Sequence, residues 1–178
     1  MMDSAEFRFR GETHIEVHKF YSGAITIVTV LALVLQALLP VYFHRFKAEL
    51  LELPLLVTIY FGISRRNPST GLLLGMVIGI LQDSLSHKPL GLNGIAKTLI
   101  GYLASSIGGR IDTEHPASRF ALTVIFFGVQ QAVIVLVRRV LLAQPERLFS
   151  MQLLIAAAVN GVVAVALFVL LDRLRKPS

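Results

Sequence analysis

The sequence predicts an all-α membrane protein, a bundle of about six transmembrane helices, and three observations carry that prediction. Of the 178 residues, 54% are hydrophobic and only 16% are charged, against roughly a quarter charged in soluble domains. Long apolar runs recur along the chain, several of them near the ~20 residues needed to cross a hydrocarbon core. The basic residues fall mostly between those runs, where charge sets orientation, so the net charge of +6 does not point to nucleic acid. Cysteine is absent, which excludes a disulfide framework and any thiolate metal site.

Residues 1–20 carry Asp3, Glu6, Glu12 and Glu16 beside Arg8, Arg10 and Lys19. A cleavable signal has a basic start and a shorter apolar stretch, so this segment reads as a short retained tail. The transmembrane domain then covers 21–172, and 173–178 form a C-terminal tail. The first span is 22–43. The stretch 50–108 is interrupted twice, at Arg65-Arg66-Asn67-Pro68 and at His87-Lys88-Pro89. Proline after polar residues marks a turn at each, leaving spans at 50–64, 70–86 and 90–108. The last two are 119–142 and 150–171. Five spans, with 50–64 partly re-entrant, is the alternative.

Orientation follows from counting Lys and Arg on each side of a six-span arrangement. The tail, the 65–66 turn, the 109–119 loop and the C-terminus hold ten; the other side holds six, counting Arg138 and Arg139 near a helix end. Loops richer in Lys and Arg stay in the cytoplasm, so both termini are expected there.

The middle helices are the most patterned. Gly71, Gly75 and Gly79 recur every four residues and lead to Asp83; the next helix carries Gly94, Thr98, Gly101, Ser105 and Gly108 in steps of 4, 3, 4 and 3. Such spacings hold one helix face, and small residues let backbones approach closely in lipid. The two stripes pack either within the chain's own bundle or against a partner's helix.

Asp83, Asn93 and Lys97 converge at the end of this hairpin. Folding about Lys88-Pro89 sets Asp83 level with Asn93, with Lys97 about 6 Å deeper. Helical side chains lean toward their N-terminus, so Lys97 is expected to reach back and pair with Asp83. A charge within a membrane needs a partner. The cluster, which Arg138 could join, is either structural or a contact for a ligand or partner. Gln130, Gln131 and Asn160 read as inter-helix hydrogen-bonding residues. Arg138 and Arg139 read as snorkelling side chains, with Glu52 as a counter-ion for either.

Catalytic and metal patterns are missing. His14-x-Glu16-x-His18 lacks the His-Glu-x-x-His order of metalloproteases, and His44, His87 and His115 fall in separate turns. There is no nucleophile elbow and no phosphate-binding loop. The sequence points to no enzyme, no metal and no cofactor.

Residues 70–110 resemble the family of the rod shape-determining protein MreD. The resemblance rests on an ordered combination. It begins with the glycine helix from Gly71 to Ile80-Leu81-Gln82-Asp83, continues through Pro89-Leu90-Gly91-Leu92-Asn93, and ends in Leu99-Ile100-Gly101-Tyr102-Leu103. More loosely it covers the whole chain. His87-Lys88 stands where the family has a small residue, and Lys97 is an unusual charge for its helix. The resemblance implies a non-catalytic scaffold of the bacterial cell-elongation machinery, in the cytoplasmic (inner) membrane. Its implied partners are an MreC-like single-span protein and, through it, the MreB filament, a RodA-type polymerase and a penicillin-binding transpeptidase. The family also looks like the substrate-binding subunits of energy-coupling-factor transporters. That implies an alternative role, a small-solute-binding subunit of a vitamin-type transporter with Asp83, Asn93, Lys97 and Arg138 lining a pocket.

Overall fold

The computed structural model describes residues 22–42, 50–86, 89–108, 115–141, 143 and 150–173. Both tails, apart from Arg173, and His14, Glu16, His18, His44, His87 and Lys88 lie outside them. Six helices follow in order: α1 Ser22–Tyr42, α2 Leu53–Arg65, α3 Pro68–Leu85, α4 Leu92–Ile107, α5 Pro116–Leu141 and α6 Met151–Asp172. No strand occurs among the described residues. The protein is an all-α membrane bundle. Helices α1, α3, α5 and α6 are long and apolar enough to cross a bilayer; α2 has 13 residues and α4 has 16.

Local chemistry sets the helix boundaries. Pro54 lies in the first turn of α2 and Pro68 opens α3; proline is tolerated there because those N–H groups have no helical partner. Asn67 caps α3, its side chain accepting from Ser69 N at 3.1 Å and Thr70 N at 3.2 Å. Ser150 caps α6 through Leu153 N. The Arg65-Arg66 turn is tight: Arg66 adopts the left-handed conformation (φ 51°) and its N–H returns to the Gly62 carbonyl. Helix α5 begins at Pro116, three residues before the apolar run is expected to start. Proline suits a first helical position, with its φ already set and no N–H to leave unpaired, so the helix starts ahead of the apolar run.

The shortest helix is the central one. Every residue of α2 from Pro54 to Ser64 is buried, and α2 packs against all five other helices. Leu55, Leu56, Ile59 and Phe61 form the middle of the hydrophobic core with Ile78, Ile100, Phe126 and Phe168. The outer helices are one-sided. On α1, Ile25, Thr29, Ala32 and Leu33 face inward while Ile27, Val30, Leu31, Val34 and Leu38 are exposed. In water that outer surface would be a large apolar patch; in a bilayer it faces lipid. A 13-residue helix spans only about 20 Å. Wrapped by protein, it has no need to match the membrane's thickness alone.

Candidate functional site

The α3–α4 hairpin is fastened glycine to backbone. A Cβ added at Gly71 would overlap Ser105 and the Gly101 carbonyl, and one added at Gly75 would overlap the carbonyl of Lys97. At Gly79 it would strike the backbone of Asn93 and Gly94, and at Gly101 the carbonyl of Gly71. The two stripes therefore meet each other within this chain. Two glycines of the second stripe depart from the pattern. Gly108 presses on Ile63 of α2, and a Cβ at Gly94 would first meet the Ile80 side chain at 3.2 Å. Gly62 of α2 faces Ala104 in the same way, a contact that its isolated position in the sequence does not signal.

Asp83 sits at the end of this contact, 1% exposed. Its carboxylate accepts from Gly91 N at 2.9 Å, Asn93 N at 3.0 Å, Gly94 N at 3.2 Å and Asn93 Nδ2 at 2.8 Å. Helix α4 opens on Gly91 (φ 94°), which has no side chain to cap with. Asp83 supplies the missing cap from α3, meeting the orphan N–H groups and placing an anion at the positive end of the helix dipole.

Lys97 turns elsewhere. It is fully buried, with Nζ 3.4 Å from Glu52 Oε2 and 3.1 Å from Gln130 Oε1. Gln130 Nε2 in turn donates to Glu52 Oε2. The expected Lys97–Asp83 pair does not form: the α4 N-terminus occupies the Asp83 carboxylate, while α2 and α5 bring an acid and an amide to Lys97. Arg138 lies eight residues beyond Gln130, in the last turn of α5, and is half-buried. The structure thus joins Asp83 with Asn93, and Lys97 with Glu52 and Gln130.

Glu52 also anchors its own segment. Residues 50–52 precede α2, and apart from the Glu52 carbonyl, which accepts from Leu55 N and Leu56 N, their backbone groups need partners outside that helix. Asn160 of α6 accepts from Glu52 N at 2.9 Å and donates to the Leu50 carbonyl at 2.6 Å. Gln36 of α1 donates to the Leu51 carbonyl at 2.9 Å and accepts from Leu53 N at 3.0 Å. Two amides thus stand in for the missing turn of helix.

A third cluster closes the opposite end of α2. Arg119 Nη2 donates to Asp172 Oδ2 at 2.6 Å, and Tyr60 OH donates to Oδ1 at 2.9 Å. Arg119 is 5% exposed, although in sequence it reads as a loop charge. A signal for these clusters does exist. Each lone polar residue in an apolar run needs a partner, but sequence spacing does not say which.

These features define a multi-pass α-helical membrane protein whose buried charges fasten its helices to one another around a short central one. The chain belongs to the family of the rod shape-determining protein MreD, whose family model matches residues 18–175. Its role is therefore that of a rod-shape-determining membrane protein. No curated protein and no solved structure matches the chain.

Proposed function

We propose that this chain is a non-catalytic scaffold of the cell-elongation machinery. It binds an MreC-like single-span protein within the bacterial inner membrane, with both termini cytoplasmic. Through that partner it helps organise peptidoglycan synthesis by a RodA-type polymerase and a penicillin-binding transpeptidase, in register with the MreB filament. Family membership supplies the context. The observation that carries the reading is how the buried charges are used: Asp83 holds a helix terminus, Lys97 pairs with Glu52, and Arg119 pairs with Asp172. What such a chain offers a partner is the apolar outward face of its helices, where Ile27, Leu31, Leu73, Val77, Leu136 and Val162 are exposed. The same use of charge weighs against the solute-binding reading, in which Asp83, Asn93 and Lys97 would have to turn toward a ligand.

The test is complementation of cell shape in a rod-shaped bacterium lacking its own family member, read with co-purification of the single-span partner. Restored rods and a retained partner are expected. Unrestored shape, together with a vitamin-like solute carried through purification, would replace the scaffold with a transport subunit.

A further inference from the structure

Arg65 and Arg66 differ from the other buried or half-buried basic residues described. Lys97 and Arg119 have acidic partners, and Arg138 is also engaged. Arg65 and Arg66 are both half-buried, yet among the described residues neither guanidinium makes a hydrogen bond or an ion pair. Arg65 Nε is shut away from solvent with no acceptor. A buried charged donor without an acceptor is costly, so the site fits an anion. No acidic residue lies between Glu52 and Asp83, and Asp172 is held by Arg119 and Tyr60.

The anion's chemistry follows from the place of the pair in the chain, at the turn that leads into α3. The two arginines close α2 and precede α3, where two apolar helices turn around, so they sit where hydrocarbon gives way to headgroups. Exposed Ser69 opens a face of α3 that continues in steps of three and four through Leu72, Met76 and Ile80. Those three side chains, with Gly94, Thr98 and Tyr102 of α4, line an open apolar groove of about 560 Å³. From Leu72 to Ile80 it runs about 12 Å, close to the ~15 Å hydrocarbon depth of one leaflet.

We propose that Arg65 and Arg66 hold the phosphate of an anionic phospholipid, with one acyl chain lying in the α3–α4 groove. Charge complementarity selects the headgroup and the groove takes the chain. This site is independent of the scaffold role.

The test uses the full chain, purified in neutral detergent, with bound lipid read by native mass spectrometry. Phosphatidylglycerol should be retained one per chain and resist displacement by phosphatidylcholine. Inorganic phosphate alone should not displace it. Arg65→Gln/Arg66→Gln should weaken retention about 25-fold, taking roughly fivefold for each arginine at an anionic surface. Thr98→Phe, which fills the groove, should weaken retention with both arginines in place. Arg173→Gln, a change at an exposed cation on the C-terminal end of α6, should leave it unchanged. Equal retention of the two lipids by the parent chain would overturn the proposal without any variant. Displacement by inorganic phosphate would make it a free-anion site, and unchanged retention in the double glutamine variant would remove the arginines from it.

Discussion

Asp83 and Glu52 are both buried carboxylates, and their surroundings give them different tolerances. Among the described residues, Asp83 faces four N–H donors and no cation within ion-pairing distance. An amide oxygen can still accept from some of those donors, whereas alanine strands all of them at about 1–3 kcal/mol per unsatisfied group. Asp83→Asn should therefore retain most of the thermal stability in detergent, and Asp83→Ala should lose much of it. Equal melting temperatures for the two would mean that the cap is dispensable. Removing Lys97 should not rescue Asp83→Ala, because Lys97 is paired elsewhere.

Glu52 faces a buried cation instead. Breaking a buried pair by removing one partner costs about 3–5 kcal/mol, because the other charge is left stranded. Glu52→Ala is accordingly expected to be severe. Adding Lys97→Met should recover a substantial part of that loss, by up to about 3 kcal/mol of coupling. Strict additivity in a double-mutant cycle would show that the pair contributes nothing as a pair.

Among the elements, the α3–α4 hairpin sets the tightest limits. Gly75 lies directly against the Lys97 carbonyl, so Gly75→Ala must push two backbones apart, at about 1–3 kcal/mol for overpacking. Gly75→Leu should prevent assembly, since close contact is the main attraction between helices in lipid. Gly128 has nothing within 4 Å of an added Cβ, and Gly128→Ala should be neutral or stabilise by about 0.5–1 kcal/mol through helix propensity. Thermal unfolding of both alanine variants checks the contrast, and similar effects would mean that the stripe is no interface.

This hairpin was the most legible element in the sequence, because a period of four among small residues is a local signal and its partner lies just beyond the next turn. The helices were legible for the same reason: hydropathy is summed over neighbours. The Glu52–Lys97–Gln130 cluster was not. Its members lie 45 and 78 residues from Glu52, and no periodicity links them. Asp83 is the nearest carboxylate to Lys97 in the sequence, but the start of α4, opening on a glycine, already needs it. The Arg119–Asp172 pair, 53 residues apart, was hidden because an arginine next to a loop reads as a topology signal.

On the scale of the whole molecule, the asymmetry of basic residues makes a prediction about orientation. With both termini cytoplasmic, the Lys88 turn faces outward and the Arg65-Arg66 turn faces inward. The chain has no cysteine, so single cysteines can be introduced cleanly. A cysteine at position 88 should react with an impermeant thiol reagent on intact cells, and one at position 66 only after lysis. The reverse pattern would invert the topology.

The central place of α2 also has a consequence for synthesis. Helix α2 leaves the ribosome second, carrying a buried acid and, just before it, backbone groups that are satisfied only by side chains of other helices. Lys97 follows 45 residues after Glu52, Gln130 follows 78 after it, and Asn160 follows 108 after it. At the elongation rates of a bacterial ribosome, roughly 5–20 residues per second, the last of these partners arrives about 5–20 seconds later. Until then the most enclosed helix of the finished protein is its least satisfied one. Arrested chains that end before α6 should therefore be preferred substrates for membrane quality-control proteases, and chains released after α6 should survive. Pulse-chase half-lives of stalled chains of increasing length would then show one sharp step, at the length that lets Asn160 enter the membrane, rather than a gradual rise with each added helix.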